Sequence, residues 1–333
     1  MEIIRAREDD RGVILIALLW ILTILSVIAL SFSRETFVEV SAARNTRDLA
    51  DAYYIARAGI ATTIYQLYEK SYLSQMRPAD VLSQQPDAID LGKVTGKFGD
   101  GEYDVDVQDE SGKINVNMVG EEQLRALINA AGIPESDANI IMDSILDWKD
   151  ADKIPRQNGA EDDYYQSLQP PYLAKNGPLS TVEELLLVRG VTPDYYYGHR
   201  EKTTDGQIVE RYGLSRYLTV YSNSNRINVN YAPLPVLLSI PGMPQDTAER
   251  IYERRQVKPF QTIDEINKEV ASGLNPSATS MLMTQRGTVY TLTASAHRDN
   301  SKAVRIIRAV INLDLREINK YRCIYWNENI PNW

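Results

Sequence analysis

The apolar residues of this 333-residue chain fall first into one unbroken block and then into periodic patches. Val13 to Phe32 reads VILIALLWILTILSVIALSF, with no charge and no proline. Only Thr23, Ser26 and Ser31 carry hydroxyls there. A stretch of about 20 residues at about 1.5 Å each matches a hydrocarbon core about 30 Å thick. From Arg34 to Tyr72 there is no proline, and Gly59 is the one glycine. Leu49, Tyr53, Ala56, Ile60, Ile64 and Leu67 step by three or four, the spacing of one helical face. The pattern predicts a rod that leaves the bilayer, continues to about Gln75 and stops before Pro78, on the order of 90 Å long.

Beyond the rod the period changes. Gly92 to Asp100 reads as a glycine- and lysine-rich loop, and Glu102 to Gln108 alternates strictly, as a half-buried strand does. Asp109-Glu110-Ser111-Gly112 reads as a turn, and Ile114 to Asn117 alternates again. Helical spacing then takes over through Leu124, Leu127, Ile128, Ile140, Ile141, Ile145 and Trp148, and helical and loop signals dominate to about Met283. Strand signals return at 288–296 and 303–313, around a hairpin turn at Asp299-Asn300-Ser301. The expected fold class is α+β: a long N-terminal helix on a small antiparallel sheet, with a large all-helical insertion. The expected segments are a leader (1–12), a membrane half of the helix (13–33, with Val13, Trp20 and Leu30 facing lipid) and an outer half (34–77). An α+β unit (78–118 and 284–333) and the helical insertion (119–283) complete the chain.

The insertion repeats itself. Leu127, Leu185 and Leu237 each precede a glycine by five residues: Gly132, Gly190 and Gly242. Each unit reads as a helix, a glycine cap, a tight turn with proline nearby, and a new helix. Thr181 with Glu184 and Thr262 with Glu265 form capping boxes. Helix-hairpin-helix units of this kind can bind the DNA backbone. Here proline stands where a second glycine would admit phosphate, lysines are scarce and the net charge is −9, so the repeats read as structural. DNA uptake stays as an alternative function.

Three readings of the N-terminus compete: a cleaved secretory signal, a simple signal anchor, and a prepilin-like leader cut after Gly12 with the apolar segment retained. A signal peptide has a shorter core and a small-residue cleavage site, and Ser33-Arg34-Glu35-Thr36 is not one. The uninterrupted rod favours the third reading. Arg5, Arg7 and Arg11 favour a cytoplasmic N-terminus. The single cysteine, Cys323, permits no internal disulfide and is expected to be buried. His199 and His297, the two histidines, lie near no nucleophile motif, so no enzyme is expected.

One segment carries candidate chemistry. Asp147 to Asp152, continued by Asn158 to Asp163, concentrates hard oxygen ligands in a loop. Counted from Asp150 as an EF-hand, Asp150, Asp152, Asn158 and Glu161 fall at positions one, three, nine and twelve. Ile154 cannot ligate at five, and Pro155 replaces the glycine required at six, so the loop is not an EF-hand. A calcium site and a solvated acidic loop both remain open.

Several stretches together resemble the protein K family of type II secretion systems. They are Arg11-Gly12-Val13 with its apolar helix, Asp109 to Asn117, Leu146-Asp147-Trp148 through Gly159 to Tyr165, Pro170-Pro171-Tyr172, Glu183 to Val191, Ile227 to Asn230, and Leu237 to Gly242. The resemblance implies a pilin-like fold with a large helical insertion. It also implies cleavage after Gly12 by a prepilin peptidase, methylation at Val13, and an inner-membrane anchor with the head in the periplasm. Two other minor pseudopilins at a pseudopilus tip and the inner-membrane secretion platform are the implied partners, with no nucleic acid. Ala17 stands where most pilins carry a glutamate that pairs with a neighbour's N-terminal amine, and protein K usually lacks it too. A tip subunit has no neighbour ahead of it to supply that amine. Family members bind calcium, which on this chain points to Asp147, Asp150, Asp152, Glu161, Asp162 and Asp163. A minor pilin of a type IV pilus is a close variant of this reading.

Overall fold

The computed structural model describes residues 9–76, 92–202, 206–222, 224–270, 274–314, 320–328 and 330. Residues 1–8 of the expected leader and the expected stop at Pro78 lie outside them. Helix α1 runs without a break over Asp9–Met76, 68 residues, or about 100 Å. No residue from Val13 to Arg47 is buried. From Ala52 onward one stripe of α1 is buried, and Ile55, Ala56, Ile60, Ile64 and Leu67 form the helix side of a hydrophobic core. The helix therefore has a bare half and a docked half.

The docking partner is a five-stranded antiparallel sheet. Its strands are β1 (Lys93–Phe98), β2 (Gly101–Asp109), β5 (Val289–Arg298), β6 (Val304–Leu313) and β7 (Tyr321–Asn327), paired in the order β1-β2-β5-β6-β7. Strands β3 (Gly198–Lys202) and β4 (Ile208–Tyr212) form a separate exposed hairpin. Alternation on β2 and β5 sends Tyr103, Val105, Val107, Leu292, Ala294 and Ala296 against α1. Gly59 allows the approach: a Cβ there would lie 2.7 Å from Tyr103 Cδ2. The β5–β6 turn, with Asn300 at φ 61°, reaches back to the helix. Arg298 pairs with Asp48 at 3.2 Å, and the Ser301 hydroxyl donates to the same carboxylate at 2.9 Å.

Three expectations need correction. Gly92 to Asp100 is an edge strand, not a loop: Gly96 leaves room for the Tyr103 ring, and Lys93 and Lys97 pair across to Asp104 and Glu102. Ile114 to Asn117 pairs as a strand only at Ile114–Asn115. Cys323 is exposed, because β7 lies at the sheet edge and outside both hydrophobic cores. Strand β7 and the β3–β4 hairpin carried no sequence signal that separated them from loops.

Between β2 and β5 the chain builds a second core that includes Leu124, Ile141, Trp148, Tyr165, Leu185, Leu237 and Phe260. This segment is a duplicated unit. Each copy opens on Ile-Asn-Val-Asn, at 114–117 and 227–230, and each begins with a two-residue parallel strand pairing. In each, the first asparagine's Oδ1 accepts from the backbone amide two residues on, at 2.9 and 3.1 Å. The second asparagine reads both backbone groups of a distant residue: Asn117 with Leu179, Asn230 with Phe260. Those residues sit just ahead of the two capping boxes. Two helices follow each opening: α2 (Glu121–Ala130) and α3 (Glu135–Lys149), then a single turn at Leu234–Leu238 and a longer helix at Gln245–Val257. Gly132 and Gly242, at φ 80° and 76°, make the turns between them.

A cation at the end of each second helix closes each unit. Lys149 Nζ donates to the carbonyls of Val116 and Val119, and Arg255 Nη1 donates to those of Val229 and Ala232. The third glycine, Gly190, also has positive φ, but a 3-10 helix (Val182–Leu187) precedes it, not an α-helix. A five-residue helix, Pro193–Tyr197, capped by Thr192, follows it. After α3 the first unit carries a long excursion through residues 150–178, where the second passes directly from Val257 to Phe260.

The crossing from sheet to helical segment is polar and buried. Asp109 accepts from the Ser111 amide and hydroxyl and from the Gly287 amide, so it holds the outgoing and returning chains together. Next to it, Glu110 accepts from Lys113 Nζ at 2.6 Å and from Thr291 Oγ1 at 2.7 Å, with side-chain exposures of 2% for Glu110 and 7% for Lys113.

Candidate metal centre

The excursion after α3 gathers the acidic residues, and the helix sets their positions. Asp143 and Asp147 on α3 and Asp150 at its C-cap lie at i, i+4 and i+7, along one face of the helix, beside Ile141, Met142, Ile145 and Trp148, which pack in the core. Asp150 ends α3. The chain turns through Asp152, whose carboxylate accepts from the Ile154 amide at 2.9 Å, and returns through Asn158 and Gly159 to Glu161, at the start of α4 (Asp162–Gln166). Asp143 fixes the return by accepting from the Asn158 amide and side chain, each at 3.0 Å. Gly159 is required at its position, since a Cβ there would sit 1.8 Å from Asp147 Oδ2. Arg189 donates to the Gly159 carbonyl at 2.8 Å and closes the loop from outside.

Asp150, Asp152 and Glu161 each present an oxygen within 4.8 Å of the others. Two oxygens bound to one calcium at about 2.4 Å stand no more than about 4.8 Å apart, so the triangle has the size of a coordination face. Both carboxylate oxygens of Glu161 and Oδ1 of Asp150 are buried with no hydrogen-bond partner. Buried carboxylate oxygens are ordinarily paired. Burial first, then the charges of Asp147, Asp150, Asp162 and Asp152, push the Glu161 carboxyl up to about 7. The residues present fit a hard divalent cation.

The other candidates have different surroundings. Asp147 is fully buried and taken up by Arg156, whose Nη1 donates to Oδ1 at 2.6 Å and whose amide donates to Oδ2 at 3.1 Å. Burial still raises its carboxyl above the ordinary value. Asp162 accepts from Lys153 at 2.7 Å and from the Ala174 amide at 3.0 Å, and the Lys153 bond lowers its carboxyl. Asp163 is exposed on α4. Asn158, at the ninth position of the EF-hand count, is engaged by Asp143. The sequence reading gave no role to Asp143, Arg156 or Gly159. The i, i+4, i+7 spacing of Asp143, Asp147 and Asp150 was a usable signal for Asp143.

The other candidate features are plainly placed. At two of the glycine turns an amide is engaged within the chain: Gly132 N donates to Asn129 O, and Met243 N to Ile240 O. His199 lies exposed on β3, and His297 lies half-buried on β5. Gly12 and Val13 lie within the first turns of α1, and Val13, Trp20 and Leu30 are 67%, 63% and 73% exposed. The helix has the length and hydropathy of a membrane span, and its most apolar window is unburied.

Residues 105–200 match the family model described as type II secretion system protein K. Type II secretion system protein K of Pseudomonas aeruginosa is 25% identical over 282 residues, covering 79% of this chain and 78% of that one. The Pectobacterium carotovorum protein of the same name is 28% identical over 205 residues, covering 57% of this chain and 61% of the relative. The Escherichia coli K12 putative protein K is 41% identical over 71 residues, 21% of this chain and 22% of the relative. Among solved structures, a chain of the GspK-GspI-GspJ complex from enterotoxigenic Escherichia coli superposes with a TM-score of 0.57 at 15% identity, covering 89% of this chain and all of the other. At that identity the likeness establishes the fold.

Proposed function

We propose that this chain is a minor pseudopilin of the protein K family of type II secretion systems and that it caps a pseudopilus tip. One observation carries the proposal: α1 is a single rod whose inner half is exposed among the described residues and whose outer half packs against the head. The bare half suits lipid and sibling helices. The head is too wide to repeat along a thin fibre, which favours one copy at its end. Its partners are two other minor pseudopilins, in line with the GspK-GspI-GspJ composition of the fold neighbour. A prepilin peptidase cuts after Gly12 and Val13 becomes the methylated first residue. The apolar helix is a single-pass inner-membrane anchor, with the N-terminus cytoplasmic, the head periplasmic, and the inner-membrane platform as the site of assembly.

Calcium is the proposed structural ion. Asp150, Asp152 and Glu161 would hold it, with Asp147 behind them, and the ion would offset the charge that now converges on Glu161. The test of the tip role is assembly. The head without residues 1–33, mixed with the heads of the two other minor pseudopilins of its own system, should elute as one complex with one copy of each. Three separate peaks at micromolar concentration would refute it.

A further inference from the structure

Arg156 stands among the acidic residues as a cation with two carboxylate partners. Its Nη1 donates to Asp147 Oδ1 and to Asp150 Oδ2, each at 2.6 Å, and its own amide takes the other oxygen of Asp147. Both oxygens of Asp147 are thereby engaged. One oxygen of Asp150 is engaged as well, while the other, Oδ1, is buried and unpartnered beside the two free oxygens of Glu161. Lys153 is committed to Asp162 at the side of the loop, and Lys149 donates to the Val116 and Val119 carbonyls.

Resting on the calcium reading of this loop, we propose that Arg156 is a built-in counter-cation that sets the affinity of the Asp150–Asp152–Glu161 site. It does so in two ways. It keeps Asp147 out of the coordination shell by occupying both of its oxygens. It also places a fixed positive charge one carboxylate away from an incoming dication, which Coulomb repulsion makes less welcome. In return it holds Asp147 and Asp150 in place when no metal is bound, so the loop does not depend on the ion to stay closed. The site is thereby tuned to the weak binding that suits extracytoplasmic calcium, about 10⁻⁴ to 10⁻³ M in modules of that kind. Arg156 is a positioning residue and touches no metal.

The test uses the full chain in detergent, stripped with EDTA and titrated with calcium chloride by calorimetry. Arg156→Gln should bind calcium roughly tenfold more tightly than the parent and melt at a lower temperature in EDTA. Arg156→Lys, which keeps the charge, should stay within about threefold of the parent. The double variant Asp147→Asn with Arg156→Gln removes both charges together, so its affinity should also stay within about threefold. It replaces the single variant should Arg156→Gln fail to fold without metal. An Arg156→Gln affinity equal to or weaker than the parent's overturns the proposal while leaving the calcium site standing. A double variant that shifts tenfold also overturns it. A parent chain that takes up no calcium removes the site itself, and the proposal with it.

Discussion

Glu110→Ala should cost the head about 3–5 kcal/mol of stability, the range for removing one partner of a buried ion pair. The substitution leaves the Lys113 ammonium buried at the crossing point between sheet and helical segment, with its carboxylate partner gone. It also leaves the Thr291 hydroxyl without its acceptor. Urea unfolding of the head without residues 1–33 measures the loss, since every buried residue among the described ones lies beyond that cut. The companion variant Glu110→Leu with Lys113→Met should recover most of it, because apolar replacements of a buried pair are often neutral. If Glu110→Ala unfolds within about 1 kcal/mol of the parent, the pair is not buried as described.

Calcium at about one hundred times its dissociation constant should stabilise the same head by about 2.7 kcal/mol, and Glu161→Ala should abolish that gain. The pH dependence has a definite sign. Burial and neighbouring charges raise the Glu161 carboxyl from an ordinary 4.5 to about 7, so the fold favours its protonated form. In EDTA this contribution to stability is complete below pH 4.5 and is lost as pH rises through about 7. With saturating calcium the ionised form is the ligand, and the loss should disappear. Thermal melts at pH 5 and pH 8, with EDTA or calcium, separate the four conditions. A calcium-free head that grows more stable from pH 5 to pH 8 at this group, as judged against Glu161→Gln, would contradict the geometry.

Much of the architecture was legible in the pattern of residues because it rests on periods that packing enforces. The α1 stripe, the alternation of β2, β5 and β6, and the positive-φ glycines at 132, 190 and 242 each follow from one local rule. The duplication was half visible: leucine-to-glycine spacing marked three turns, whereas the true unit is defined by what Asn117 and Asn230 bind some 30–60 residues away, which no window can read. Strand β1 was missed because an edge strand buries little and tolerates glycine. The acidic loop stood out by composition, but its division of labour did not. Asp147 and Asp162 carry the same chemistry as Asp150 on paper. Only the fold shows that Arg156 and Lys153 claim them, while Glu161 is left with two unpartnered oxygens.

The central claim is that α1 stays attached to its head as a membrane anchor after a short leader is removed. Intact-mass and N-terminal peptide mass spectrometry of the chain isolated from inner membranes tests it most directly. A chain beginning at Val13 with a methylated amine, still carrying the apolar half of α1, is the expected result. A chain that retains Met1, or one found soluble and starting beyond Ser31, would contradict it.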